Sequence, residues 1–177
     1  MAHAGQLLLA TPGMHEATFE RTVILLLDHD DASSMGLVLN RPSTIAVSDA
    51  LPDLAHVAQP NQLFLGGPVE QGTALVLAEA EPESTEFHLA HHGVGLVDLS
   101  SGVAVESLKR ARVFIGYAAW GPQQLRDELR AGAWLLADPV PGDLWSSSDV
   151  NLWATIFARL GDLSGFFARY PQQPWLN

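Results

Sequence analysis

A cluster of acidic residues around one histidine is the first group in the sequence that could do chemistry. Asp28-His29-Asp30-Asp31 follows an apolar run, and imidazole titrates near neutral pH, so His29 is a candidate general acid or base oriented by a neighbouring carboxylate. The cluster also resembles a hard-cation site. A calcium loop would need an oxygen ligand at Ala32, glycine at Ser33 and glutamate at Leu39. We therefore predict no metal here.

A second group of possible ligands is the histidine triplet in His88-Leu89-Ala90-His91-His92. Imidazole is a common transition-metal ligand, and on a strand His88 and His92 would share a face while His91 points away. With no carboxylate or fourth histidine in register, an exposed turn is favoured over a metal site.

The segment Gly116 to Leu125 places a strand end directly before a predicted helix. Free N–H groups and the helix dipole at such a junction favour an anion. Tyr117 and Trp120 could stack on a planar ligand, and Gln124 could hydrogen-bond to it. In the competing interpretation, Gly116 and Gly121 allow close packing and the aromatic rings fill the core.

Other catalytic signatures fail on inspection. The only lysine, Lys109, is not in a phosphate-binding loop, and Gly93-Val94-Gly95 lacks the last glycine of a dinucleotide motif because Asp98 takes its place. His15-Glu16 has Phe19 where a second zinc-binding histidine is needed. There is no Gly-x-Ser-x-Gly elbow and no cysteine. We predict no catalytic residue, no cofactor and no Cys-ligated metal.

The net charge of −11 is concentrated in the first part of the chain. Residues 1–100 contain 13 acidic residues and two basic ones, Arg21 and Arg41, whereas residues 101–177 contain seven of each. Such a field repels the phosphate backbone, so direct binding of nucleic acid is disfavoured. The basic run Lys109-Arg110-Ala111-Arg112 is interpreted as a solvated turn.

The elements that must position these residues follow from the apolar pattern. The N-terminus has no signal-peptide pattern and the run Val23 to Leu27 is too short to cross a bilayer, so we expect a soluble cytoplasmic protein with one domain over residues 1–177. The continuous runs predict strands covered on both faces. Strands are expected at Leu7–Ala10, Leu63–Leu65, Ala74–Ala78, Phe87–Ala90, Val94–Leu99, Arg112–Ala118 and Trp134–Ala137, with a hairpin at Val23–Leu27 and Met35–Leu39.

Helices are predicted at three places, each with a start signal. One follows Ser48-Asp49 and continues to His56; one runs from Gln123 to Ala131, with Pro122 at its first position and Gly132 beyond its end. The last carries Val150, Trp153, Ile156, Phe157 and Leu160 at helical spacing, after a Ser148-Asp149 cap and before Gly161. The acidic stretch Glu79–Glu86 is expected to be a solvated loop.

Several motifs in order give the chain a resemblance to the AlgH-like (YqgE/AlgH) family of bacterial proteins. They are Gly5–Pro12, Phe19–Ile24 leading to Asp28-His29-Asp30, Met35–Pro42, Leu65–Val69, Gly116–Leu125 and Trp134-Leu135. The resemblance covers about residues 5–161 and leaves residues 162–177 as a C-terminal extension. It implies an α+β fold with a mixed, partly barrel-like sheet surrounded by helices. The family also carries a label of transcriptional regulator, which no DNA-binding motif here accompanies.

These observations predict a non-enzymatic binding or regulatory domain that recognises a small anionic ligand or a protein partner near the turn Gly116–Gln124. Asn40, Arg41, Gly66 and Gly67 are expected to contribute to that site together with Tyr117, Trp120 and Gln124. Two alternatives are a transcriptional regulator that acts through protein contacts, and an enzyme that uses His29 as acid or base and lacks an evident nucleophile. The oligomeric state is left open.

Overall fold

Nine strands and four short helices build the part of the chain that can be described. The computed structural model describes residues 2–80, 87–91, 93–98, 105–147 and 151–161. The strands are β1 (Leu7–Ala10), β2 (Val23–His29), β3 (Ser34–Val38), β4 (Ala58–Leu65), β5 (Val69–Ala80), β6 (Phe87–His91), β7 (Val94–Val97), β8 (Leu108–Trp120) and β9 (Trp134–Ala137). The helices are α1 (Val47–Ala50), α2 (Gln124–Arg130), α3 (Pro141–Leu144) and α4 (Leu152–Leu160), with 3₁₀ turns at Pro52–Leu54 and Val105–Ser107.

The strands form one mixed sheet in the order β6-β7-β5-β8-β3-β2-β1-β9, and β4 pairs with β8 beside that path. The β4–β8 pair is parallel and the other pairs are antiparallel. Within the described residues no ladder joins β6 to β9, so the sheet is not closed into a barrel. The α+β class and the mixed sheet inferred from the sequence are confirmed.

Helices cover both faces of the apolar strands β1 and β2. Alternate residues point to opposite faces of a strand, so Leu7, Leu9 and Leu25 pack in one cluster with Trp153 and Phe157 of α4. Their neighbours Leu8, Ala10, Ile24 and Leu26 pack in a second cluster with Leu125 of α2. A third cluster joins α1 to β4, β7 and β8. The expectation of two covered faces, drawn from the continuous apolar runs, is confirmed.

The sequence prediction differs from the structure at the ends of strands and helices. The strand β5 extends beyond the predicted Ala74–Ala78 and includes Glu79, which was expected in a solvated loop. The first helix stops at Ala50 instead of His56, because Pro52 disfavours a helical backbone at Leu51. Gln123, with a left-handed φ of 63°, precedes α2, so Pro122 is not the first helical residue. Asn151, whose side-chain oxygen accepts from Ala154 N at 3.1 Å, caps α4 instead of Ser148-Asp149.

One helix was not predicted, and several predictions concern residues outside the described ranges. The helix α3 has only four residues and no periodic pattern, and it was not predicted. Most of the acidic stretch (81–86), His92, residues 148–150 and the tail 162–177 lie outside the described residues. In the described part of the chain no helix is long and apolar enough to cross a membrane.

Candidate functional site

The glycines predicted to bind a ligand lie where two chain segments cross closely. Gly66 N donates to Ile115 O at 2.8 Å, and Gly66 O accepts from Val38 N at 2.9 Å. A Cβ atom at Gly66 would stand 2.2 Å from Gly116 O, and one at Gly67 would stand 2.1 Å from the main-chain carbon of Tyr117. The glycine pair therefore lets two backbones pack in contact.

Asn40 and Arg41 hold the loop before β2 against the end of β3. The side-chain oxygen of Asn40 accepts from Val23 N at 2.9 Å, and its amide donates to Arg21 O at 2.8 Å. The Arg41 guanidinium donates to Glu20 O, and burial lowers the pKa of Arg41 while the nearby Glu20 charge opposes that shift. Both side chains thus have partners inside the chain.

Trp120 and Gln124 belong to a network centred on one carboxylate. The indole nitrogens of Trp120 and Trp134 donate to the same Glu128 oxygen at 2.9 and 2.7 Å, and Gln124 Nε2 donates to the other oxygen at 2.9 Å. Trp120 is 4% exposed and its ring packs against Phe19 and Trp134. Trp120 therefore fills the core, as the competing interpretation of the sequence expects, and its ring is not available to stack on a ligand.

Glu128→Ala should lower the free energy of unfolding by about 2 kcal/mol, because two largely buried indole donors would lose their acceptor. Glu128→Gln keeps a carbonyl oxygen and should lose less than half of that amount. Urea denaturation of the three proteins measures the difference. Equal stability of Glu128→Ala and the wild type would show that the network does not hold Trp120.

The structure supplies a hydroxyl next to His29 but little space. His29 Nδ1 lies 2.7 Å from Ser34 Oγ, and the two residues are cross-strand partners in the β2–β3 hairpin. The cavity they share with Asp31 and Arg126 measures about 10 Å³, which is room for one water molecule at most. A substrate does not fit there.

The acidic hairpin tip is internally satisfied. Asp30 accepts from Ala32 N and Ser33 N at 2.7 and 2.8 Å, and these bonds lower the pKa of its carboxyl. Asp31 pairs with Arg126 at 2.7 Å. Among the described residues there is no group of three possible metal ligands, and the side chains of the strand that carries His88 and His91 lie outside the description.

The basic run around Arg110 was interpreted wrongly as a solvated turn. It lies in β8, where Arg110 and Arg112 share the face that looks toward α3. Arg112 is 1% exposed, donates to Leu144 O and Leu39 O at 2.8 and 3.0 Å, and lies 3.9 Å from the Phe64 ring centroid. Burial lowers the pKa of Arg112 to about 10. The sequence signal for the burial of Arg112 was its position within an apolar strand, two residues after Arg110.

Arg110 opens onto a cleft that the sequence did not reveal. Its Nε and Nη2 atoms both lie 2.7 Å from one oxygen of Glu79, and its guanidinium carbon lies 4.4 Å from the ring centroid of Trp145. The cleft has a volume of about 570 Å³. We call it the Trp145 cleft; it is lined by Glu79, Val94, Arg110, Asp138, Pro139, Val140, Pro141, Leu144 and Trp145.

The wall of the Trp145 cleft is fixed by an ion pair behind it, of which the Asp143 carboxylate is buried and the Arg159 side chain is partly exposed. Asp143 of α3 is 3% exposed, accepts from Val140 N at 2.9 Å, and receives both terminal nitrogens of Arg159 on α4 at 2.9 and 2.7 Å. The carboxylate raises the pKa of Arg159 through these hydrogen bonds. Together with the Arg112 bond to Leu144 O, this pair holds α3 on the sheet and gives the cleft a preformed side.

Comparison with known proteins identifies the family. A family model described as AlgH-like matches residues 7–164. The chain belongs to the AlgH-like family. The resemblance inferred from the sequence motifs is therefore confirmed. The residues Asn40, Gly66, Gly116 and Trp120 of the AlgH-like motifs make contacts within the chain here, whereas the Trp145 cleft is lined by other residues.

Relatives and solved structures agree with this assignment. A UPF0301 protein of Streptomyces avermitilis is 41% identical over 182 residues, covering 98% of this chain and 94% of the relative. The UPF0301 protein ML0028 of Mycobacterium leprae is 35% identical over 95% of this chain and 87% of its own length.

Two solved structures share the fold. Protein DIP2367 of Corynebacterium diphtheriae matches with a TM-score of 0.87 and 25% identity over 95% of this chain and 92% of that one. The AlgH protein of Pseudomonas aeruginosa gives 0.70 and 26% over 94% and 93%. The chain therefore shares its fold with an AlgH protein of known structure.

Proposed function

We propose that this AlgH-like chain is a non-enzymatic binding domain that takes a small anion-bearing ligand with an apolar body in the Trp145 cleft. The observation that supports this most is the combination of an apolar wall with one guanidinium, Arg110, held in place by Trp145 and Glu79. The proposal keeps the ligand class expected from the sequence and moves its site from the Gly116–Gln124 turn to the cleft.

The size and lining of the cleft suit a small molecule. Small-molecule sites commonly measure about 300–1,000 Å³ and combine apolar walls with a few polar groups that set orientation. The apolar wall here comes from Val94, Leu144 and Trp145 and from the segment 139–141. Arginine presents a planar set of donors that fits a carboxylate or phosphate oxygen pair. The ligand's apolar part would lie on the wall and its anion on Arg110.

The cleft residues argue against a catalytic role. The ionisable groups that line it are Glu79, Arg110 and Asp138, and none of the described lining residues is a serine, threonine, cysteine, histidine or lysine. A nucleophile next to a base, which covalent catalysis requires, is therefore missing from this lining. Ser34 Oγ, which lies next to His29, belongs to the lining of the small cavity at the hairpin tip.

The proposal places this binding domain in the cytoplasm and gives it a regulatory role. A chain without cysteine needs no oxidising compartment for its folding. With a net charge of −11, the chain would transmit ligand binding through protein contacts rather than through DNA. Val140 lines the cleft and is 44% exposed, so a protein that docks on it would contact the cleft directly.

A thermal-shift screen with aromatic and aliphatic organic acids tests the proposal. A ligand present at one hundred times its dissociation constant stabilises the fold by about 2.7 kcal/mol, which raises the midpoint by about 5–10 °C for a chain of this length. We expect such a shift with 3-phenylpropionate or a larger aryl carboxylate, and we expect Trp145→Ala and Arg110→Gln to remove it.

Arg126→Gln is the matched control, because this variant also removes a half-exposed arginine from an ion pair, at the hairpin tip. It should keep the full ligand-induced shift. A shift that survives in both cleft variants, or a flat screen over the whole set of acids, would contradict binding in the Trp145 cleft.

A further inference from the structure

The charges that line the Trp145 cleft favour a ligand that carries a positive charge beside its anion over a simple anion. Glu79 and Asp138 are acidic and Arg110 is basic, so the three sum to −1. Arg110 is already neutralised, since its Nε and Nη2 atoms share one Glu79 oxygen at 2.7 Å. A ligand that carried only a negative charge would meet one unbalanced carboxylate in a chain whose net charge is −11.

Each of the three groups nevertheless has a hydrogen-bonding atom that no described residue uses. The Arg110–Glu79 contacts use Nε and Nη2 and a single carboxylate oxygen, which leaves the Arg110 Nη1 donors and the other Glu79 oxygen. Asp138 accepts from Gln6 through only one of its oxygens, at 3.1 Å. The cleft thus offers a cationic donor directly beside an anionic acceptor, with a second carboxylate on its rim.

A zwitterion complements this pattern. Resting on the proposed function, we infer that the ligand class of the Trp145 cleft is a free α-amino acid with a large apolar side chain. Its carboxylate accepts from Arg110 and its ammonium donates to Glu79, with Asp138 adding to the negative field. The two charges of an α-amino acid are separated by a single carbon atom, so they match the adjacent Arg110 and Glu79 groups as an antiparallel pair.

The apolar wall determines which amino acids fit. Val94, Leu144 and Trp145 offer no charged group to a polar side chain, and burying an unpaired polar group there is costly. An acidic amino acid would also add a second negative charge to a cleft whose lining already sums to −1. Aromatic and branched aliphatic side chains are therefore selected over polar ones.

Three compounds with the same body separate the contributions of the two charges. Isothermal titration calorimetry on the full chain compares L-phenylalanine, 3-phenylpropionate, which lacks the ammonium, and 2-phenylethylamine, which lacks the carboxylate. Each charge-assisted hydrogen bond contributes about tenfold in affinity. We expect L-phenylalanine to bind at least about tenfold more tightly than either analogue.

The variant Glu79→Gln should reverse this preference. Without the Glu79 charge, Arg110 loses its internal counter-charge and 3-phenylpropionate should bind about tenfold more tightly, whereas L-phenylalanine loses the anionic acceptor of its ammonium and should bind about tenfold more weakly. Asp138→Asn, which leaves the Arg110–Glu79 pair intact, should weaken L-phenylalanine by a smaller factor and leave 3-phenylpropionate unchanged or slightly tighter.

The outcomes distinguish the two proposals. If 3-phenylpropionate binds the wild type as tightly as L-phenylalanine and Trp145→Ala abolishes its binding, the cleft binds anions and the zwitterion inference is wrong. If L-phenylalanine binds but is indifferent to Glu79→Gln, the assignment of the ammonium to Glu79 is wrong. If none of the three compounds binds, both the inference and the cleft's binding of small aryl acids are overturned.

Discussion

Trp153→Ala should lower the free energy of unfolding by about 4 kcal/mol, since replacing a fully buried tryptophan by alanine removes its apolar contacts and leaves a cavity. The ring of Trp153 is 1% exposed, its centroid lies 4.5 Å from that of Phe157, and its indole nitrogen donates to Ala10 O at 2.7 Å. The guanidinium carbon of Arg21 lies 4.6 Å from the same ring. Chemical denaturation of the variant measures the loss.

Two further variants show whether the loss comes from packing. Trp153→Phe keeps an aromatic ring beside Phe157 and gives up the bond to Ala10 O, so its loss should be about half as large. Trp145→Ala removes a partly exposed tryptophan from the cleft and should cost only about 1 kcal/mol. Equal losses for Trp153→Ala and Trp145→Ala would contradict the placement of α4 on β1 and β2.

Gly66→Ala should destabilise the fold by about 3 kcal/mol, because overpacking against a fixed backbone forces neighbouring strands apart. The added Cβ would stand 2.2 Å from Gly116 O and 3.1 Å from the side chains of Leu37 and Phe114. The nearest atom belongs to the main chain of β8, which is paired on both sides and cannot move alone. Thermal or urea unfolding gives the value.

Gly72→Ala is the matched control for this prediction. Nothing lies within 4 Å of a Cβ at Gly72, so its stability should stay within about 0.5 kcal/mol of the wild type. If Gly66→Ala proves as stable as Gly72→Ala, the close crossing at Gly66 is wrong, and the earlier interpretation of Gly66 as a ligand contact regains its basis.

The apolar centres of the strands could be predicted because each is marked by local sequence, whereas polar extensions such as residues 58–62 of β4 carry no such mark. The runs in β1, β2, β3 and β9 are continuously apolar and end at turn residues. Such runs are typical of strands that are covered on both faces. Helix ends depend on single residues such as Pro52 and Asn151, whose effects compete with neighbouring cap signals. The four residues of α3 have too little length to show a period.

The candidate site could not be predicted because its residues meet only through the sheet. Glu79 and Arg110 are 31 positions apart and become partners through the antiparallel register of β5 and β8. Trp145 reaches Arg110 only because α3 is held by Asp143 and Arg159. The segment around Trp120 did carry a pattern of glycines and aromatic residues that suggested a site, but in the structure these residues pack within the fold.

A ¹H–¹⁵N correlation spectrum of the five tryptophan indole groups tests the central claim most directly. The signal that disappears in Trp145→Phe belongs to Trp145, and the Trp120 signal is assigned in the same way. On titration with L-phenylalanine or 3-phenylpropionate, we predict that the Trp145 signal moves while the Trp120 and Trp134 signals, held by Glu128, stay in place. Movement of the Trp120 signal with Trp145 unchanged would contradict binding in the Trp145 cleft and would place the ligand at the Gly116–Gln124 turn.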